Sequence, residues 1–266
     1  KPFSKEELRA RIDVGFRVLN LQADLADAQS LLSIERTVIE KIILKMQSAR
    51  EFDSTNVRCL SLPVETTSGD VLFSAHSSKN TQYLMLGDFT GHGLVAALGG
   101  PLASDIFYAM ALKGIPISEI VAEINHQMFN KMPTGLFLVS TFFEVNSDRT
   151  KVKIWNCGME NILLFRDHHL IKKISSASLA LGILDTFTVE AEVIDVQPGD
   201  RLYAYSDGIT ETKNSQGKMF GQDRLIQAIN DMLTADADIQ VLADTAVDFR
   251  GNVEQLDDLT VLELTC

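Results

Sequence analysis

The hydrophobic period of this chain changes near Phe52, and the change decides what each part can fold into. Upstream, Val14, Val18, Leu21, Leu25, Ala28, Leu32, Glu35, Ile39, Ile42 and Met46 recur at spacings of three and four, and nine of these ten are apolar. Between residues 3 and 50 there is no proline and one glycine. A 3,4 repeat keeps a narrow apolar stripe on one helix face, which is the seam two supercoiling helices need in order to interdigitate. Residues 1–51 are therefore expected to form a long coiled-coil helix that joins two copies of the chain, with a single amphipathic helix packed on its own domain as the alternative. Glu35 interrupts the seam and either sets its register or marks where it loosens.

Downstream, short runs replace the long stripe. Strands are expected over Val57–Leu62, Val71–His76, Tyr83–Gly87, Leu136–Val145, Lys151–Cys157, Ile162–Phe165, Val189–Val196, Arg201–Tyr205 and Thr260–Leu264. Polar turns such as Asn146-Ser147-Asp148 and Arg166-Asp167-His168 indicate antiparallel hairpins. Helices are expected over Leu94–Lys113, broken or kinked at Pro101, from an N-cap at Ser118 through Asn130, and over Gln222–Leu233 and Ile239–Phe249. Lys213–Gly221, polar with two glycines, is expected to be an exposed loop. Many antiparallel strands with helices segregated into pairs imply an α+β domain over residues 52–266. Its expected architecture is an antiparallel β-sandwich flanked by helix pairs in α-β-β-α layers.

Charge narrows the function classes. The 266 residues carry a net charge of −12. Residues 1–50 hold 9 basic and 7 acidic groups, which leaves 15 basic and 29 acidic for the remainder. An acidic body offers no basic surface to neutralise phosphates, so nucleic acid is excluded as a partner. No window approaches the roughly 18 uninterrupted apolar residues of a membrane helix, and the N-terminus has no signal-peptide pattern, so a cytoplasmic protein is expected. Cys59, Cys157 and Cys266 are far apart without CxxC spacing and read as reduced thiols.

Single aspartates stand at the exits of several expected strands. They occur in Ser68-Gly69-Asp70, Gly87-Asp88-Phe89-Thr90-Gly91-His92-Gly93, Tyr205-Ser206-Asp207-Gly208 and Asp257-Asp258-Leu259-Thr260. Mg²⁺ and Mn²⁺ prefer oxygen ligands and keep several waters, so a few carboxylates suffice for a site. Two such ions about 3.5 to 4 Å apart can share an activated water and neutralise a phosphoryl group under attack. No GxSxG, HExxH, Walker-type GxxxxGK or post-strand GxGxxG competes with this reading. Of the histidines, His92 at a helix start is as compatible with a structural role as with substrate contact. His76, His126, His168 and His169 lack partners at ligand spacing. Glu211 is expected to support the site or cap a loop, and Trp155 to be core.

At these motifs, together with Ala96-Ala97, Pro198-Gly199-Asp200-Arg201, Ile209-Thr210-Glu211 and Phe220-Gly221, the chain resembles the PPM-type (protein phosphatase 2C) metal-dependent serine/threonine phosphatases. The resemblance is to their bacterial sporulation and stress-response branch and covers residues 52–266. It implies that Asp88 bridges two Mn²⁺ or Mg²⁺ ions and that the Phe89 carbonyl ligates one of them. Asp207 and Asp257 would complete the other shell, with Asp70 acting directly or through water; in the DDxT motif it selects Asp257 over Asp258. Metal-bound hydroxide would then attack a phosphoserine or phosphothreonine of an anti-sigma-factor antagonist of the STAS type, in a partner-switching pathway. An upstream receiver or sensory domain is expected to precede Lys1 and to act through the coiled helix. The departures are Thr90, a poor acid where some relatives have histidine, the lack of an evident phosphate-gripping arginine, and Cys157-Gly158-Met159 in place of Ala-Gly-His. A non-catalytic binding or scaffold module of the same fold is the alternative function.

Overall fold

The computed structural model describes residues 4–47, 51–91, 93–186 and 188–266. Its elements are helix α1 (Lys5–Gln47), strands β1 (Val57–Leu62), β2 (Asp70–His76) and β3 (Gln82–Phe89), and helices α2 (Gly93–Ala97), α3 (Gly99–Ala111) and α4 (Ile117–Lys131). Strands β4 (Leu138–Val145), β5 (Lys151–Cys157), β6 (Ile162–Arg166), β7 (His169–Ile174), β8 (Glu192–Asp195) and β9 (Arg201–Tyr205) follow. The chain closes with α5 (Asp207–Glu211), α6 (Gly221–Thr234), α7 (Gln240–Arg250) and β10 (Leu259–Thr265). Packing divides it into two units, Lys1–Ile42 and Ile43–Cys266.

The first unit is helical from Lys5 onward. Its seam residues Val14, Val18, Leu21, Leu25, Leu32, Ile39 and Ile42 are all exposed to solvent.

In the second unit two five-stranded antiparallel sheets stack, one ordered β1-β10-β9-β6-β7 and the other β2-β3-β4-β5-β8. The layer between them holds Leu84, Leu86, Phe143, Val152 and Ile154 from one sheet and Leu164, Leu202, Ala204, Leu262 and Leu264 from the other. A second apolar layer, with Phe73, Met85, Phe107, Tyr108, Ile120, Ile124 and Trp155, packs α3 and α4 on the outer face of the β2–β5 sheet. A third, with Tyr203, Tyr205, Phe220, Leu225, Ile229, Leu242 and Val261, packs α6 and α7 on the other. Because β3 is covered on both faces, it reads as a continuous apolar run, Tyr83-Leu84-Met85-Leu86, rather than an alternation. The α+β sandwich in α-β-β-α layers expected from the sequence is the fold observed.

Several local expectations are corrected. The helix after Gly93 breaks at Leu98, ahead of Pro101, which sits in the first turn of α3 where a missing N–H leaves no bond unmade. Pro116, not Ser118, occupies the N-cap of α4; Ser118 lies inside the helix. The expected strand starts at Leu136 and Val189 move inward to Leu138 and Glu192. Strand β7 escaped notice because its sequence, His169-Leu170-Ile171-Lys172-Lys173-Ile174, is that of a solvated edge strand. It follows a two-residue turn in which Asp167 and His168 both take positive φ, as a type I′ turn requires. Lys213–Gly221 is the exposed loop expected, except that Phe220 is buried; Lys213 pairs with Met219, and Asn214 Oδ1 accepts the Gln216 and Lys218 N–H groups.

The apolar stretch Gly93–Ala111 is long and apolar enough by composition to cross a membrane, with a mean hydropathy of 1.4, yet 56% of it is buried in this fold. The three cysteines are free, and burial pushes the Cys157 thiol up to about 12. Trp155 is core, as expected.

The central layer should dominate stability. Phe143 is fully buried there, so Phe143→Ala should lower the unfolding free energy by about 3–5 kcal/mol in urea denaturation.

Candidate metal centre

Period-two alternation builds one end of the sandwich. Leu72, Leu84, Leu86, Leu202, Ala204, Leu262 and Leu264 lie in the layer between the sheets. Extending that alternation to the ends of β2, β3, β9 and β10 places Asp70, Asp88, Ser206, Asp258 and Thr260 at a single edge of the same layer. Asp70 stands directly opposite Asp88 in the β2–β3 ladder. Ser206 Oγ donates to Asp70 Oδ2 at 2.8 Å and accepts the Thr260 N–H at 2.9 Å, which joins the β9 and β10 ends to the β2 start.

Asp207 and Asp257 fall one residue out of the alternation, just outside their strands. Asp207 opens α5; Asp257 precedes β10 and accepts the Asp258 N–H at 2.9 Å. Asp88 and Asp207 line one small cleft with Val139, Gly158, Met159, Glu160 and Ser206. On the far side of Asp207, Gly208, Glu211 and Asp257 line a second. The start of α5 approaches the β10 entry so closely that a Cβ on Gly208 would stand 2.0 Å from the Asp258 carbonyl oxygen, which makes glycine obligatory there.

All four predicted aspartates thus come to one end of the sandwich. Phe89 is there as well: its ring is fully buried and its N–H donates to the Gly69 carbonyl at 3.2 Å. Behind it, Gly91 and Gly93 take φ of 86° and 72°, which turns the chain from β3 into α2. His92 lies outside the described residues.

The electrostatics follow from geometry. Burial raises the Asp88 carboxyl far above its ordinary range, and the charges of Asp70, Asp207, Asp257 and Asp258 add to the effect. Burial also raises Asp70, against the lowering pull of hydrogen bonds from Thr260 and Ser206. Asp207 is pushed up to about 6 by burial and then by Asp257, Glu211 and Glu160. Such a set calls for a compensating cation. Every candidate donor is a hard oxygen, and Asp70 Oδ1 is buried with no hydrogen-bond partner among the described residues, so the donors fit Mg²⁺ or Mn²⁺. Among the described residues no three His, Cys, Asp or Glu side chains close on one point. A site built from one or two carboxylates and waters does not need them to.

Sequence reading missed the braces. Ser206 carries no metal-binding chemistry by residue type, and Asp258 is the aspartate set aside in favour of Asp257; their period with Ala204 and Leu262 marks both as facing the layer. Thr90 is a structural tie rather than an acid: its Oγ1 accepts the Phe137 N–H at 3.1 Å and donates to the Phe137 carbonyl at 3.2 Å. Asp200, from the Pro198–Arg201 motif, lies at the opposite end of β9, fully buried against the Arg166 guanidinium at 2.6 and 2.7 Å. Of the histidines read as lacking partners, His76 pairs with Asp53, and His126 Nδ1 stands 3.7 Å from Asp185. Glu211 is exposed and acts on Asp207 through its charge.

Residues 78–266 match the family described as Stage II sporulation protein E (SpoIIE), a stretch that includes Asp88, Asp207 and Asp257. The phosphoserine phosphatase RsbU of Bacillus subtilis is 20% identical over 166 residues, 62% of this chain and 49% of RsbU. The chain spans no more than about half the length of the curated relatives it matches. Among solved structures, the SiaA PP2C domain of Pseudomonas aeruginosa superposes with a TM-score of 0.75 at 20% identity, covering 90% of this chain and 98% of that one. The PP2C phosphatase domain of Bacillus subtilis SpoIIE, solved with a fragment of its regulatory domain, gives 0.67 at 18% identity over 79% of this chain and 63% of that one.

The raised carboxyls fix a pH dependence. Their folded-state values lie above the unfolded 3.8, so the folded protein holds more protons and loses stability as pH rises from about 4 through 6, where Asp207 ionises, and beyond as Asp70 and Asp88 follow. In chelator-treated protein, thermal unfolding should therefore move to lower temperature between pH 5 and pH 8. Asp88→Asn should raise stability at pH 8 by at least about 1 kcal/mol. Mn²⁺ added at pH 7 should release protons, measured by calorimetry in buffers of different ionisation enthalpy.

Proposed function

The chain belongs to the Stage II sporulation protein E family and has the PP2C phosphatase fold, and on that premise we propose that it is a metal-dependent protein serine/threonine phosphatase. The observation that carries this reading is the gathering of Asp70, Asp88, Asp207 and Asp257 at one sandwich edge, where burial and mutual repulsion raise three of them and Asp70 Oδ1 has no hydrogen-bond partner among the described residues. Asp88 and the Phe89 carbonyl, with Asp207, Asp257 and Asp70, would hold two Mn²⁺ or Mg²⁺ ions. Bound there, the ions supply an activated water and neutralise phosphoryl oxygens.

The protein's own groups do the rest. Asp70, fixed by Ser206, presents one oxygen to the site. Thr90 holds the β3 exit to Phe137 and leaves the departing serine or threonine oxygen to be protonated by water. The substrate is proposed to be a phosphoserine or phosphothreonine of a STAS-type anti-sigma-factor antagonist in a bacterial, cytoplasmic partner-switching pathway. Similarity to a phosphoserine phosphatase supports the bond cleaved.

Regulation is proposed to enter through α1. Its exposed apolar seam fits a homodimeric coiled coil, and the division of the protein into a helical segment and a phosphatase domain fits an upstream receiver or sensory domain acting through it. The SpoIIE neighbour's regulatory-domain fragment supports this arrangement.

A second reading, a non-catalytic PP2C-fold binding module, is favoured by one observation, that no three ligating side chains close on one point among the described residues. Catalysis separates the two. The wild-type protein should hydrolyse an aryl phosphate or a phosphopeptide only with Mn²⁺ or Mg²⁺, and Asp88→Ala and Asp207→Ala should each lower the rate at least about 100-fold. Absence of Mn²⁺ binding at millimolar concentration would favour the binding module. For the coil, sedimentation should give a dimer for the native chain and a monomer for Leu25→Asp combined with Leu32→Asp.

A further inference from the structure

The candidate ligands come from both sheets. Asp70 and Asp88 belong to β2 and β3, in the sheet β2-β3-β4-β5-β8, whereas Asp207 and Asp257 flank β9 and β10, in the sheet β1-β10-β9-β6-β7. Among the described residues no backbone ladder joins the two sheets; apolar side chains pack between them. Polar cross-links at the edge where the ligands lie hold the two halves of the site to one another.

Asp258 makes two of these. It is 3% exposed, and its two carboxylate oxygens accept different backbone donors: Oδ1 the Val64 N–H and Oδ2 the Gly69 N–H, each at 2.7 Å. Both donors belong to the loop between β1 and β2, and Gly69 immediately precedes Asp70. The loop is held on its other side as well. A Cβ on Gly69 would meet Ala96 Cβ and the Gly91 carbonyl oxygen at 3.1 Å, and a Cβ on Gly93 would meet Glu65 Oε2 at 2.9 Å, so the loop lies against the start of α2. Ser206 adds a parallel link from the β9 end to Asp70 itself.

We propose that Asp258 is a positioning residue that spaces the two halves of the metal centre, by clamping the Val64–Gly69 loop to the entry of β10. The proposal rests on the phosphatase reading above. A buried carboxylate is a costly way to hold a loop, and a charge-assisted bond to each N–H is what makes it worthwhile here. Its neighbour in sequence, Asp257, is left outside the strand and partly exposed, free of this task. Adjacent aspartates thereby divide their work: the first faces the metal centre, the second fixes how far the opposite sheet's ligands stand from it.

Asp258→Asn keeps the volume but sets an amide NH₂ against one of the two donors. Removing a group that orients metal ligands typically lowers metal affinity about 10- to 100-fold. Calorimetric titration of the Asn variant with Mn²⁺ should therefore show a Kd raised 10- to 100-fold, while kcat at saturating Mn²⁺ stays within about threefold of wild type. In the unmodified protein, hydrogen exchange should show the Val64 and Gly69 amides protected, and more so with Mn²⁺; this measurement stands even if the variant does not fold. Unchanged Mn²⁺ affinity in a folded variant, a large fall in kcat with unchanged affinity, or unprotected Val64 and Gly69 amides would each overturn the proposal. If the wild-type protein itself binds no Mn²⁺, the phosphatase reading fails instead.

Discussion

Like charges crowded at the end of a dry layer are the constraint on which this molecule depends. The apolar layer between the two sheets excludes water up to the edge where Asp70 and Asp88 face one another across adjacent strands. Two carboxylates in that position resist ionisation, and the third at the start of α5 adds to the repulsion. The fold carries this because three large apolar layers stabilise it elsewhere, so the cost is confined to one edge. That edge is where a divalent cation would gain most from binding, since burial and mutual repulsion raise the carboxyls it would meet.

The same constraint explains why polar side chains with no reactive role surround the aspartates. Ser206 uses its hydroxyl to satisfy one Asp70 oxygen, and the other has no hydrogen-bond partner among the described residues. Thr90 ties the exit of β3 to Phe137, so that the Asp88 segment cannot relax away from the edge. Asp258 spends both oxygens on the loop that delivers Asp70. Each brace converts a repulsive arrangement, which left alone would spread, into one held at fixed spacing. Preorganisation of this kind is what distinguishes a cation site from a patch of surface acids.

Much of this was legible in the residue order. The change of period near Phe52, the hairpin turn at Asn146-Ser147-Asp148 and the aspartates at strand exits each reflect a rule of local geometry, and each reappears in the fold. The errors have equally local causes. The expected break in the Leu94–Lys113 helix comes at Leu98 rather than at Pro101, because a proline is tolerated in the first turn of the helix that follows. Strand β7 was overlooked because lysines on an edge strand imitate a loop.

The sequence by itself determined the period of each segment, and with it a helical seam followed by stacked sheets with aspartates at the strand ends, because hydrophobic periodicity and turn chemistry act over a few residues. Only the tertiary structure decided which strand ends meet, that Ser206 and Asp258 brace the Asp70 loop while Asp200 is pinned to Arg166 at the far end of β9, and how strongly each carboxyl is raised. Those outcomes depend on the order of strands in two sheets and on what excludes water from their edge, and no spacing along the chain encodes them.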